Sequence, residues 1–348
     1  MAEYTKQIKV GAVAVGGGAP VSVQSMCTTP TEDAQATLEQ IRRLAAAGCE
    51  IVRVAVPTQE AARAISAIKE RSPVPVVADI HFDHRLALEA VARGADAVRI
   101  NPGNIGTEEN VRAVVRACSL HNISIRVGVN GGSLEKPLLE KYGLTAEAMC
   151  ISAMNKVRLL ESMDFDDICV SLKASDVALT VKAYKMLAQQ TKHPLHLGIT
   201  ETGTEYMGLV KSAAGIGALL LDGIGDTIRV SLTADPEQEV KAGTAILKAV
   251  GLRKDGVNII SCPTCGRTKI DLVRLAHEVE EKLAGCGRNI TVAVMGCVVN
   301  GPGEARHADY GLAGGTGEGV IFKKGEVVGK YPEDRLTDEL IGLIKRDN

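Results

Sequence analysis

Aromatic side chains are scarce in this chain: Phe, Tyr and Trp make up 3% of its 348 residues, and Trp is absent. That shortage argues against stacking platforms for single-stranded nucleic acid and against aromatic sugar-binding clefts. A charge excess is missing too. Lys plus Arg (40) nearly balance Asp plus Glu (42), for a net charge of −2. No global positive field is present to hold nucleic acid or an anionic membrane, although local basic sites remain open. No window approaches the ~20 uninterrupted apolar residues that a membrane span needs. The N-terminal MAEYTKQIKVG lacks the apolar run of a secretory signal, so a cytoplasmic location is expected. Low-complexity segments are absent, and the 45% hydrophobic content with 36 Gly and 12 Pro excludes disorder and collagen.

What is present is one grammar repeated from residue 20 to about 250: a short β-branched run, a polar or glycine turn, then an Ala/Leu-rich stretch with helical i, i+3, i+4 spacing. Strand candidates fall at 21–26, 51–56, 74–80, 97–100, 123–129, 167–172, 195–199 and 226–232. Eight β-then-α units in this length match a (β/α)8 TIM-type barrel. The rival, an open doubly wound sheet, is disfavoured because no Gly-x-Gly-x-x-Gly turn follows the first strand. Residues 251–255 read as a short linker. Beyond it VNIIS, a helix over about 267–284, NITVAVMG, a Gly-rich hairpin and a final helix form a smaller α+β unit. The expected division is a barrel over 1–251 and an α+β domain over 252–348.

Polar residues recur at or just past the ends of the barrel strands, where this fold builds its catalytic face. Arg53 interrupts IVRVAV, Asp79 and His81 end VVADIH, and Arg99 and Asn101 end AVRIN. Arg126 and Asn130 flank VGV, Lys173 follows VSL, Glu201 follows GIT, and Arg229 and Ser231 lie in TIRVSLT. Singly, each charge reads equally well as part of an ion pair within the barrel. As a set, Arg53, Arg99, Arg126 and Lys173 outnumber Asp79 and Glu201, and a buried excess of cations is costly without an anion. A small organic diphosphate supplies that charge, because guanidinium forks bind phosphate oxygens in pairs. Ser231 and Asn130 add uncharged donors. His81, His84 and His196 read as structural or capping histidines.

Nine cysteines in a reducing compartment are not a disulfide framework. Cys27, Cys49, Cys118, Cys150 and Cys169 sit singly among apolar residues, as small buried hydrophobes do. Cys262, Cys265 and Cys297 instead lie in Gly/Pro-rich turns, in Cys262-Pro-Thr-Cys265 and Gly296-Cys297-Val-Val-Asn300-Gly-Pro-Gly-Glu304. Such a set suits a metal or an iron–sulfur cluster. Zinc could recruit Cys286, but ten residues separate it from Cys297 where a zinc ribbon usually has two. A thioredoxin-like pair would leave Cys297 unexplained. The preferred reading gives three thiolates to three irons of a cubane cluster and the fourth iron to Glu304, swung back by the Asn-Gly-Pro-Gly turn.

Together CPTCGRT, GCVVNGPGE, VRINPGN, GITETG and GDTIRVSLT resemble the bacterial 4-hydroxy-3-methylbut-2-enyl diphosphate synthases, iron–sulfur enzymes of the methylerythritol phosphate route to isoprenoids. The resemblance runs from about residue 20 to 310. It implies reductive ring opening of 2-C-methyl-D-erythritol 2,4-cyclodiphosphate, with loss of water, by two electrons delivered one at a time. It puts the ligands of a 4Fe–4S cluster at Cys262, Cys265, Cys297 and Glu304, and the diphosphate site at Arg53, Arg99, Arg126, Asn130, Lys173 and Ser231. Glu201 becomes the proton donor, and Asn300 falls between cluster and substrate. Flavodoxin or ferredoxin is the implied electron donor. The family is homodimeric, the cluster domain of one subunit capping the partner's barrel. Two other classes compete: a non-redox barrel enzyme acting on a phosphate ester with structural zinc, and an electron-transfer module with the barrel as scaffold.

Overall fold

The computed structural model describes residues 4–297 and 305–347. Its first unit extends through Arg253, and its second begins at Lys254.

The first unit opens with a hairpin of two antiparallel three-residue strands, β1 (Ile8–Val10) and β2 (Val13–Val15). Eight barrel strands follow: β3 (Ser22–Met26), β4 (Ile51–Ala55), β5 (Val76–Asp79), β6 (Ala97–Ile100), β7 (Ser124–Asn130), β8 (Ile168–Lys173), β9 (His196–Leu197) and β10 (Thr227–Ile228). They pair in parallel in the order β8-β7-β6-β5-β4-β3-β10-β9. A parallel bridge between Val170 and Leu195 closes the ring, and the Val170 N–H donates to the Pro194 carbonyl at 2.9 Å. The TIM-type barrel expected from the repeat is thus observed. β9 and β10 are shorter than their apolar runs. Past Arg229, whose N–H still donates to the Leu197 carbonyl, the chain turns to side-chain partners: the Leu232 N–H donates to Glu239 Oε1, and the Thr202 hydroxyl donates to the Ser231 carbonyl.

Helices alternate with the strands: α1 (Ala34–Ala46), α2 (Gln59–Arg71), α3 (His84–Ala92), α4 (Glu108–His121), α5 (Lys136–Tyr142), α6 (Ala146–Glu161), α7 (Val177–Ala188), α8 (Glu205–Leu221) and α9 (Pro236–Ala249). Five start where an Asp or Thr side chain accepts an otherwise orphaned N–H: Asp33, Thr58, Asp83, Thr145 and Asp176. Their apolar faces pack on the outside of the barrel, burying for example Ile41, Ile65, Val114 and Leu187 completely. The hairpin contributes Ile8, Val10 and Val15 to a separate apolar cluster with Ile51, Val77, Ala97 and Cys169.

The second unit is a five-stranded sheet. β11 (Val257–Ser261), β12 (Ile290–Met295) and β13 (Tyr310–Gly314) run parallel, and β14 (Glu318–Lys323) and β15 (Glu326–Pro332) continue it antiparallel. The β14–β15 turn puts Lys324 and Gly325 at φ of +48° and +83°, the left-handed pair of a tight hairpin turn. Helices α10 (Leu272–Leu283) and α11 (Leu336–Arg346) supply Leu275, Val279, Leu336 and Leu340 to its core. α10 starts later than the expected 267 because Asp271 caps it, accepting from the Arg274 N–H.

Candidate active site

A strand turns successive side chains to opposite faces, so alternate residues share a face. In this barrel the rule brings the polar strand ends into one cavity of about 210 Å³. Arg53, Asp79, Arg99, Arg126, Asn130, Lys173 and Ser231 line it, with His81, Ser171, Thr200 and Arg229. All six residues expected to bind diphosphate therefore share one wall system. Ser171, two residues before Lys173, and Arg229, two before Ser231, were absent from that set, although the period-two pattern points to both.

Asp79 is the hub of the negative charge. Its carboxylate lies 3.7 Å from Arg53 Nε, 3.3 Å from Arg99 Nη1 and 3.5 Å from His81 Nε2. Burial alone would raise its pKa, but Arg53, His81 and Arg99 together hold it below the usual carboxylate range. Arg229 is matched by Glu239 of α9 at 3.2 Å, and that buried carboxylate also accepts from Ser25. Among the described residues Arg126 and Lys173 have no ion-pair partner. Five cations thus face two carboxylates. Burial, then repulsion from Arg53, Arg229, Arg126 and Arg99, pushes the Lys173 pKa well below its ordinary value. Burial likewise lowers Arg126 and brings Arg53 down to about 9.

Two glycines make room for these side chains. A Cβ at Gly128 would lie 2.5 Å from Arg99 Nε, and one at Gly198 would lie 2.7 Å from Lys173 Nζ. Glu201 follows β9 but does not line the cavity. It is exposed and held at φ +53°, a left-handed conformation uncommon for a residue with a side chain.

In the second unit, Cys262 and Cys297 leave the C-terminal ends of the neighbouring parallel strands β11 and β12, where Ser261 is in register with Val294. The Gly296 N–H donates to Cys262 Sγ at 3.2 Å. Cys265 is exposed, and its pKa is lowered by hydrogen bonds from Arg267 and Thr268, which favours the thiolate. Among the described residues no three His, Cys, Asp or Glu side chains are already gathered as a metal shell. Asn300 and Glu304 lie outside the described residues. The donor chemistry nonetheless suits a thiolate-bound cluster: three cysteines on adjoining loops, one already accepting a backbone N–H. Cys286 packs against the apolar core beneath α10. Cys27, Cys49, Cys118 and Cys169 are buried and their thiols pushed up to about 11 or 12, as inert core cysteines. His84 sits in the first turn of α3, 3.8 Å from Asp83, and His196 is buried inside the barrel.

A closed parallel barrel with a cation-rich cavity at its strand ends, followed by a cysteine-bearing α+β unit, defines a two-part barrel enzyme. The chain belongs to the GcpE family: the GcpE TIM-barrel domain matches residues 5–244 and the GcpE C-terminal domain residues 258–346. It is 59% identical to the 4-hydroxy-3-methylbut-2-en-1-yl diphosphate synthase (flavodoxin) of Geobacter sulfurreducens, over 99% of this chain and 98% of that one. The Bacillus subtilis protein of the same name is 55% identical over 97% of this chain and 89% of its own. Among solved structures, Yersinia pestis dihydropteroate synthase superposes with a TM-score of 0.51 at 11% identity, covering 70% of this chain and 96% of that one. An N-acetylneuraminic acid synthetase from Leptospira borgpetersenii gives 0.51 at 13%, covering 72% and 92%. These two likenesses concern the barrel fold alone.

Proposed function

We propose that this chain makes the product its relatives are named for, 4-hydroxy-3-methylbut-2-enyl diphosphate, and that it does so by reductive opening of 2-C-methyl-D-erythritol 2,4-cyclodiphosphate. Two electrons and two protons enter and one water leaves. The observation that carries this reading is the surplus of buried cations at the barrel mouth, in a chain that also bears three clustered-motif cysteines. A diphosphate offsets the surplus and favours the protonated form of Lys173 that burial and crowding disfavour. Arg53, Arg99 and Arg126 grip phosphate oxygens through paired N–H donors, and Asn130 and Ser231 complete the grip with neutral ones. Glu201 serves as the proton donor, and Asn300 is a second catalytic residue.

Cys262, Cys265, Cys297 and Glu304 are the ligands for a 4Fe–4S cluster, which when bound supplies one-electron reduction. The carboxylate is the exchangeable member of that set. Flavodoxin, which appears in the relatives' names, or ferredoxin delivers the electrons in the cytoplasm. The active form is a homodimer with sites shared between chains. The motivation is that α9 ends at Ala249, away from the strand ends that form the mouth.

The test is anaerobic purification followed by iron, acid-labile sulfide and zinc analysis. Iron and sulfide should be present in the wild type and in Cys286→Ser, and lost from Cys262→Ser, Cys265→Ser and Cys297→Ser. Stoichiometric zinc, or loss of iron in Cys286→Ser, would overturn the assignment.

A further inference from the structure

Beneath the anion cavity the barrel interior carries a second polar layer, most of which none of the roles above uses. Ser22 and Gln24 on β3, Arg126 on β7, His196 on β9 and Thr227 on β10 are each no more than 3% exposed. Thr227 is in register with both Ser22 and His196, so the three share one face on neighbouring strands, ~4.8 Å apart from strand to strand. Gln24 stands two residues nearer the mouth on the same face as Ser22. Its side-chain carbonyl accepts from Arg126 Nη1 at 2.5 Å. Six polar atoms of this layer have no hydrogen-bond partner among the described residues: Ser22 Oγ, Gln24 Nε2, Arg126 Nε, Thr227 Oγ1 and both ring nitrogens of His196. A barrel core is ordinarily filled by Val, Ile and Leu, and buried polar atoms are as a rule hydrogen-bonded, to protein or to internal water.

We propose that Gln24 is the positioning residue for Arg126, holding its guanidinium toward the diphosphate, and that Ser22, Thr227 and His196, bridged by internal water, fix the Gln24 amide. The proposal deepens the reading of the cavity as a diphosphate site and rests on it. The choice of amide has a chemical reason. Asp79 spends its charge on Arg53 and Arg99, and Glu239 spends its charge on Arg229. Gln24 holds Arg126 without cancelling any charge, so the full cation remains for the ligand. His196 adds none to the crowd either: burial, then repulsion from Arg126, Lys173, Arg53 and Arg229, keeps it neutral, with one nitrogen to donate and one to accept.

A double-mutant cycle on the holoenzyme tests this, with 2-C-methyl-D-erythritol 2,4-cyclodiphosphate titrated calorimetrically in the absence of reductant. Gln24→Met, which removes the acceptor, should weaken binding roughly tenfold, the low end for one charge-assisted hydrogen bond. In the Arg126→Gln background the same change should weaken it less than about twofold, because Gln24 acts only through Arg126. Gln24→Asn keeps a neutral amide but is one methylene too short to hold Arg126, and should show the same dependence on Arg126 if the Met variant fails to fold. Equal weakening with and without Arg126 marks a structural role and overturns the proposal. Wild-type affinity in the Gln24 variants while Arg126→Gln is weak removes the positioning role alone. Wild-type affinity in Arg126→Gln removes the diphosphate reading beneath it. In the wild-type crystal, ordered water should contact Gln24 Nε2 or His196; a dry layer overturns the bridging arrangement.

Discussion

Replacing Gly128 by alanine puts a methyl group where Arg99 has to lie. The added Cβ falls 2.5 Å from Arg99 Nε, 2.6 Å from Nη2 and 2.8 Å from Cζ. Non-bonded heavy atoms settle at ~3.5 Å or more, so the guanidinium must retreat by about 1 Å. The obstacle is the far end of a long side chain rather than backbone, and the barrel can absorb the change at the low end of the ~1–3 kcal/mol typical of overpacking. The site cannot, because a shift of that size disturbs both the 3.3 Å contact of Arg99 with Asp79 and its place on the cavity wall. Losing one charge-assisted hydrogen bond, about 1.5–3 kcal/mol, predicts a roughly ten- to hundredfold higher Kd for the cyclodiphosphate. Calorimetric titration without reductant measures it, with thermal melting and iron content as controls that should stay near wild type. Affinity within twofold of wild type would refute the placement of Arg99 at the anion. Gly198→Ala provides the contrast: its Cβ meets the Arg229 carbonyl at 2.8 Å as well as Lys173, so it should destabilise the fold itself.

Lys173 makes substrate binding a proton-uptake reaction. Its pKa in the free protein lies below the ~10.4 of the unfolded chain, so the unfolded state binds more protons in that window and the free protein gains stability as pH rises through it. A bound diphosphate raises the Lys173 pKa again, so affinity should fall as pH rises above the free-protein value. Calorimetry in buffers of different ionisation enthalpy reads the proton uptake directly, and buffer-independent heats at every pH up to the ~10.4 of an ordinary lysine would contradict it. Glu201→Gln should slow turnover by about 10²–10⁴-fold with binding retained, since the amide has no carboxylic proton to give. Glu201→Gly should lose activity similarly while melting no lower than wild type, because glycine removes a left-handed backbone cost of ~1 kcal/mol. Mixed dimers of Lys173→Ala and Cys297→Ser chains should regain activity, as one of their two sites combines an intact barrel with intact cysteines. Verified heterodimers without recovery would contradict the shared site.

The barrel was legible because most strand runs carry several β-branched residues, LHLGI being the exception, and each strand–helix unit repeats. The hairpin β1–β2 was not, since strands of three residues are too short to display a period. The cation-lined mouth was legible from charges interrupting apolar runs, and most of its wall follows from period two. Asp79 stood out at the end of its strand, but the second counter-charge was harder to see. Glu239 lies in PEQEVK, which reads as the solvated first turn of a helix, and only the closed barrel brings it to Arg229. Gln24 is hidden in the strand run VSVQSM, and its partner Arg126 is far off in sequence. Gly128 and Gly198 carry no sequence signal at all, because the space a glycine leaves has meaning only once the neighbouring side chain is placed. The pairing of the Cys262 and Cys297 loops likewise depends on β11 and β12 being neighbours in one sheet.

Turnover with electron counting tests the proposed chemistry most directly. The anaerobically purified holoenzyme is given 2-C-methyl-D-erythritol 2,4-cyclodiphosphate and reduced flavodoxin, and phosphorus NMR follows the cyclic diphosphate signals. These signals should give way to those of a linear diphosphate, with two electrons withdrawn from flavodoxin for each ring opened and no reaction in Cys297→Ser. Ring opening without oxidation of flavodoxin, or a Cys297→Ser variant as active as wild type, would contradict the proposed chemistry.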